Sequence, residues 1–381
     1  ILGFGVVGSG TAEALTENKK LIADRCNEEI NVKYILDLRE FPDSPFGNLV
    51  VHDINIILND PEVVLVAEMM GGSHPAYEFT KSALEAGKSV VTSNKEVVAN
   101  FGVELLELAR ENHVSYLFEA SVGGGIPIIR VMREGLAGND IETIHGILNG
   151  TCNYILTRME NEGLPFDTVL KDAQRLGYAE ANPSLDVDGF DTAHKACILA
   201  TLAFGFQPKV DDIQVNGIRD LAGEDVKYAA DFGYRIKLLA SVSRHGDEVA
   251  VSVNPTLVPF THMLSNVNDA FNAVMVKGDM SDYTMYYGRG AGRAPTASTV
   301  VGDIGDIARN LAHGETRYER GAPDYAEGKV TLRAAGEISS KFYIRFLVAD
   351  KPGAFGTIAS ILGKNRSCKR FKTFFTCHRT T

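Results

Sequence analysis

Four carboxylates and one lysine crowd into residues 176 to 195, L-G-Y-A-E-A-N-P-S-L-D-V-D-G-F-D-T-A-H-K, directly ahead of the apolar run A-C-I-L-A-T-L-A-F. The charged residues are Glu180, Asp186, Asp188, Asp191 and Lys195. A helix starting near Gly189 would set Asp191 and Lys195 four residues apart on one face within two turns. Such a face presents an ammonium held by a carboxylate, a pairing that can stabilise and protonate an oxygen gaining negative charge. The same residues also suit an ordinary helix start, where acids favour the positive end of the dipole and an exposed ion pair contributes little. Asp188 is expected to be the helix cap. An unperturbed lysine, with a pKa of about 10.4, is a competent acid and a poor base at neutral pH. A second lysine at the same oxygen would depress both, and Asp191 would oppose that effect.

Such a cluster needs a scaffold to position it, and the first residues offer one. I-L-G-F-G-V-V-G-S-G carries G-x-G-x-x-G after the stub of a strand and ahead of the helical run T-A-E-A-L-T-E-N-K-K-L-I. In Gly3, Phe4, Gly5, Val6, Val7 and Gly8 the first glycine permits a tight turn, the second lets a pyrophosphate approach, and the third allows close helix packing. N-V-K-Y-I-L-D, V-V-L-V-A-E and K-S-V-V-T-S read as short buried parallel strands, which strengthens an otherwise weak motif. Asp37, ending the second strand, would bind the ribose diol of NAD, whereas Arg39 could take a 2′-phosphate; a plain polar turn is the alternative. The cofactor is therefore NADP or NAD. Ser93 and Lys95 follow another strand at the carboxyl edge of the sheet, where open α/β folds bind ligands.

F-E-A-S-V-G-G-G-I-P, residues 118 to 127, brings backbone carbonyls together beside Glu119. Such oxygens can cradle a hard or monovalent cation, and a tight Gly-rich connection needs no ion at all.

The 381 residues are 45% hydrophobic, ordinary for a soluble chain of two or three domains, and the formal net charge of −11 argues against gripping nucleic acid or anionic lipid. The partners expected are small molecules and other subunits. Five scattered cysteines without a C-x-x-C pair point to reduced thiols and a cytoplasmic setting. No apolar run approaches the roughly 18 residues of a membrane span, and no leader pattern precedes the first strand. Because the chain opens at Ile1, just before the glycine motif, most of the first strand and the initiator Met are expected to lie upstream.

Seven segments in order resemble homoserine dehydrogenases: G-F-G-V-V-G-S-G, T-S-N-K, F-E-A-S-V-G-G-G-I-P-I-I, G-I-L-N-G-T-C-N-Y-I-L, L-G-Y-A-E-A-N-P, D-V-D-G-F-D-T-A-H-K and Y-Y-G-R-G-A-G-R-A-P-T-A-S. The resemblance implies reversible, NAD(P)-dependent conversion of L-aspartate 4-semialdehyde to L-homoserine, on the route to threonine, isoleucine and methionine. It implies that Lys195 donates the proton, with Asp191 one turn before it and Lys95 completing the polar surround. Glu180 and Asp186 would hold the substrate ammonium. Gly177 would lie close to the cofactor, and Gly290 and Gly292 in a loop closing over it. A sodium ion would fall on Glu119 with the carbonyls of Val122, Gly124 and Ile126.

The fold class expected is α/β: a Rossmann dinucleotide-binding domain, an α+β catalytic and dimerisation domain, and an incomplete ACT-like C-terminal segment. The boundaries expected are 1–129 for the dinucleotide domain, 130–290 for the catalytic domain and 291–316 for a return to the first. A linker over 317–340 and the ACT-like segment over 341–381 complete the chain. A homodimer or higher homo-oligomer is implied by the resemblance alone. After Gly363 the sequence departs from the ACT pattern, so a poorly ordered tail is expected and threonine feedback is not carried over. The competing assignments are another Rossmann semialdehyde reductase and a non-enzymatic dinucleotide- or amino-acid-sensing protein. The Glu180–Lys195 block discriminates against both.

Overall fold

The computed structural model describes residues 1–314, 330–338, 340–348 and 351–364. In the N-terminal part, β1 (Ile35–Leu36) pairs in parallel with β2 (Val50–Val51), and β3 (Leu65–Glu68), β4 (Ser89–Thr92) and β5 (Tyr116–Leu117) form a second parallel set. Leu2 joins them, bridging Leu36 on one side and Glu68 on the other, both in parallel. These strands are apolar on both faces because helices cover both, as the continuous hydrophobic runs predicted. Helix α1 (Val6–Glu17) leaves the glycine loop and α2 (Lys95–Glu111) follows β4.

The second sheet begins with β6 (Ile141–Ile147). The remaining strands are β7 (Gln214–Val215), β8 (Tyr234–His245), β9 (Glu248–Pro259), β10 (Phe271–Gly278), β11 (Asp282–Arg289) and β12 (Thr331–Leu332). The order is β11-β10-β6-β8-β9-β12, with β7 also on β9. Its long members pair antiparallel, and the alternating E-V-A-V-S-V-N-P-T-L-V-P is β9. Helices α3 (Gly150–Glu162) and α4 (Phe190–Phe204) belong to this part.

Helix α5 (Arg293–Ala312) then packs back on the first sheet, with Val300, Ile304 and Ile307 buried against Leu15, Ala67 and Val91. The described residues contain no helix long and apolar enough to cross a membrane.

Two expectations change. Thr331–Leu332, expected in a linker, instead add an edge strand beside Glu248–Val249. Residues 341–348 form no strand, although Phe342, Ile344, Phe346 and Val348 alternate and stay exposed. A helix follows the Pro352-Gly353 turn, over Ala354–Lys364. Asp350 and the tail from residue 365 lie outside the described residues.

Candidate active site

The glycine loop is built as its spacing demands. Gly3 has φ +87°, and a Cβ there would come 2.9 Å from the Met69 carbonyl oxygen. A Cβ on Gly8 would fall 2.0 Å from the carbonyl oxygen of Gly3. Gly5, by contrast, faces open space and is the N-cap of α1, so backbone N–H groups stand ready for an anion. We expect Gly8→Ala to abolish dinucleotide binding and to destabilise the fold by about 1–3 kcal/mol, the usual range for overpacking, as measured by cofactor titration and thermal melting.

Asp37 lies at the carboxyl end of β1. Its Oδ2 accepts the Phe4 N–H at 2.8 Å, and the Arg39 guanidinium forks onto both oxygens at 3.0 and 2.9 Å. The Arg39 guanidinium outweighs partial burial and holds the Asp37 carboxyl well below the usual carboxylate range. Acid and base therefore stand beside the glycine loop as one unit.

The lysine and carboxylate cluster forms around α4. Gly189, at φ +91°, is its N-cap, so Asp191 and Lys195 fall on one face within its first two turns. Lys195 Nζ donates to Asp191 Oδ2 at 2.7 Å and to the Leu148 carbonyl at 2.8 Å. From α2, Lys95 Nζ reaches Asp191 Oδ1 at 2.9 Å. Burial pushes the Asp191 carboxyl up, but the ammonium groups of Lys195 and Lys95 overcome it and hold the group well below the ordinary range. The Asp191 charge in turn raises Lys95, against the opposing effect of burial. The mutual depression of two lysines is thus overridden at Lys95 by the carboxylate between them.

Asn149, which sequence reasoning missed, ties this cluster to Asp186. It is the N-cap of α3, where its side-chain oxygen accepts the Cys152 N–H at 2.7 Å. Its Nδ2 donates to Asp186 Oδ1 at 2.7 Å and to Asp191 Oδ2 at 2.9 Å. Burial first, then the Asp191 charge, raises the Asp186 carboxyl. A second missed residue, Glu68, is fully buried at the end of β3, where it accepts from Thr92 Oγ1 at 2.6 Å, the Met70 N–H at 2.7 Å and Asn94 Nδ2 at 3.4 Å. It thereby shapes the Thr92-Ser93-Asn94 turn that launches Lys95. The N-cap pattern N-G-T-C was the available signal for Asn149; nothing in the local sequence marked Glu68.

Gly177, at φ +78°, and Glu180 lie on an exposed loop anchored at the start of α3, where Thr151 Oγ1 donates to the Tyr178 carbonyl. Glu180 shares no hydrogen bond with the lysine and carboxylate cluster, and its backbone carbonyl accepts from Gln174. Asp188 is not the cap of α4. It ends the preceding turn, Ser184–Val187, and the Arg219 guanidinium takes its carboxylate at 2.7 and 2.8 Å.

The comparisons with known proteins agree along the chain. A family model described as "Homoserine dehydrogenase, NAD binding domain" matches residues 3–119, and one described as "Homoserine dehydrogenase" matches residues 127–304. A homoserine dehydrogenase of Neisseria gonorrhoeae is 42% identical over 373 residues, covering 96% of this chain and 85% of that relative. The chain belongs to the homoserine dehydrogenase family.

Among solved structures, a homoserine dehydrogenase from Thiobacillus denitrificans aligns at TM-score 0.87 with 40% identity, over 95% of this chain and 85% of its own. A hyperthermophilic archaeal homoserine dehydrogenase in complex with NADPH aligns at TM-score 0.70 with 29% identity, over 83% and 98%. As a homoserine dehydrogenase the chain is an NAD(P)-dependent oxidoreductase that interconverts L-aspartate 4-semialdehyde and L-homoserine. The non-enzymatic alternative falls with this.

Gly123 and Gly124 take φ +75° and +51°. The Glu119 carboxylate is buried and accepts the N–H groups of Ile129 and Arg130, both at 2.7 Å. The Gly124 carbonyl accepts Thr299 Oγ1 at 2.7 Å, and the Ile126 carbonyl accepts the Ile128 N–H at 2.8 Å. Each of these oxygens keeps a further lone pair, so the donor set is compatible with a hard cation. Asp303, beside Glu119 through the Glu119 N–H at 2.9 Å, is pushed up to about 7 by burial and by the Glu119 charge.

Proposed function

We propose that Lys195 is the proton donor to the substrate aldehyde oxygen, with Asp191 and Lys95 as its electrostatic frame. The observation that carries this is the use of the Lys195 hydrogens. Two of its three N–H groups are committed, to Leu148 and Asp191, which aims the third at one point. When bound, the reduced nicotinamide supplies the hydride. As the C=O electron pair moves onto oxygen, Lys195 hydrogen-bonds that oxygen, transfers a proton to give the hydroxyl, and is reprotonated from solvent. Oxidation of homoserine runs the same steps in reverse. Lys95, a third exposed at its side chain, lies on the open side of Asp191 and adds positive charge to the site.

The substrate is a zwitterion, and the site offers charges of matching sign. Asp186 is the ammonium acceptor, with Glu180 on the exposed loop as the second, directly or through water. The N-terminus of α3, next to Asn149, supplies the positive pole suited to the carboxylate. Gly3, Phe4, Gly5, Val6, Val7 and Gly8, with Asp37, Arg39, Ser93, Gly177, Gly290 and Gly292, line the dinucleotide. Glu119 and the carbonyls of Val122, Gly124 and Ile126 would hold a sodium ion, which would offset the buried acid charge there. Residues 1–129 with 291–316, and 130–290, are taken as the cofactor and catalytic domains of a cytoplasmic homodimer.

Asp186→Asn is expected to raise the homoserine KM by about 10- to 100-fold, the value of one charge-assisted hydrogen bond, with a smaller change in kcat. In the wild type the same KM should climb as pH falls through a value above the ordinary carboxylate range, and the variant should lack that rise. The stability sign is opposite: because the fold raises this carboxyl, its contribution is full below the ordinary carboxylate pKa and is lost as pH rises through the folded value. Steady-state oxidation followed at 340 nm, comparing homoserine with other hydroxy amino acids, tests the assignment. A preference for a hydroxy amino acid of different length would refute it.

A further inference from the structure

Asn272, near the start of β10, is fully buried, and neither its Oδ1 nor its Nδ2 finds a hydrogen-bond partner among the described residues. Buried amides are nearly always paired, so an orphaned one calls for an explanation. Its position supplies one. The β10–β11 register sets Asn272 opposite Gly288, and its side chain lies against Gly290, where a Cβ would fall 1.9 Å from Nδ2. On its other side is Gly150, the first residue of α3, where a Cβ would come 3.6 Å from Oδ1. Gly290 is also pressed by the Gly123–Gly125 turn: a Cβ on Gly124 would come 2.5 Å from the Gly290 carbonyl oxygen. The amide therefore stands between the loop carrying Gly290 and Gly292 and the helix whose cap, Asn149, bonds Asp186 and Asp191.

We infer that Asn272 is a positioning residue that fastens the Gly290 loop to the substrate end of the site when the dinucleotide binds. The amide has a donor and an acceptor to offer, and the loop backbone beside it has the complements. A small shift of the loop onto the cofactor would pair them, so cofactor binding repays the desolvation of the amide and orders the loop in one step. A glycine at 290 is required on this account, because any side chain would displace the amide. The inference rests on assigning Gly290 and Gly292 to the cofactor loop.

The test is Asn272→Leu, which keeps the branching at Cγ and has no polar atoms, with Asn272→Ala read in the same way if the first does not fold. Thermal stability should be unchanged or higher, since no hydrogen bond is lost in the free protein. The KM for NADP+ or NAD+ should rise about tenfold, as for loss of one hydrogen bond, with kcat within about twofold. Hydrogen exchange of residues 288–292 should slow on adding cofactor to the wild type and not in the variant. A lower melting temperature with unchanged KM would make Asn272 a purely structural residue, satisfied by water, and would overturn the inference. Unchanged KM with full protection in the variant would overturn it too. Normal homoserine turnover without cofactor-dependent protection at 288–292 in the wild type would instead overturn the loop assignment on which it rests.

Discussion

Lys195→Ala is expected to lower kcat for homoserine oxidation by about a thousandfold while leaving cofactor affinity within about twofold, because it removes both the proton carrier and the charge nearest the developing oxyanion. The ammonium is buried, held from two directions, and carried on α4, an element separate from the glycine loop that opens α1. Its loss should therefore leave dinucleotide binding intact. Lys195→Arg keeps the charge but spreads it over a planar fork that cannot reproduce the bonds to Leu148 and Asp191 together, so it should recover little. Equilibrium titration of NADP+ and NAD+ beside steady-state kinetics separates the two quantities. A variant that lost binding and turnover equally would point to a role in the cofactor site.

Asp191→Asn should be the more damaging change to the protein as a whole. The carboxylate sits between two ammonium groups, with both oxygens in use, and shares Asn149 with Asp186. Replacing it leaves Lys95 and Lys195 without the one carboxylate that both of them contact. Breaking a buried ion pair from one side typically costs about 3–5 kcal/mol, so the variant should melt much earlier as well as turn over slowly. The pH dependence follows from the depressed carboxyl. Its stabilisation is fully present above the ordinary carboxylate pKa, about 3.9, and is lost as pH falls through the lower folded value. Wild type and variant should thus converge in stability toward strongly acidic pH and diverge above it. Denaturant unfolding at a series of pH values reads this directly, and a constant difference across the series would contradict it.

The parts of the site that were legible in the sequence are those set by local geometry. Gly3, Gly5 and Gly8 announce themselves because a tight turn, an open approach and a close helix contact each require a residue without a side chain. Asp191 and Lys195 are legible because a four-residue spacing places them on one helical face. Lys95 was found by its position after a strand, although its pairing with Asp191 spans the two parts of the fold. What stayed hidden depends on tertiary contact. Asn149 meets Asp191 across 42 residues of chain, and Glu68 meets Thr92 across 24. Neither partner changes the periodicity around the other. Asp188 was misplaced for a related reason: Gly189 supplied the backbone turn, and Arg219, 31 residues on, claimed the carboxylate.

The role proposed for Lys195 lies in the chemical step rather than in binding or product release. The direct measurement is the single-turnover rate of hydride transfer to L-aspartate 4-semialdehyde, in wild type and Lys195→Ala, with enzyme saturated by reduced cofactor and the nicotinamide absorbance followed by stopped flow. The expected result is a fall of about a thousandfold in that rate with unchanged cofactor affinity. Hydride transfer at the wild-type rate in Lys195→Ala would show that the proton comes from another group and would contradict the central assignment.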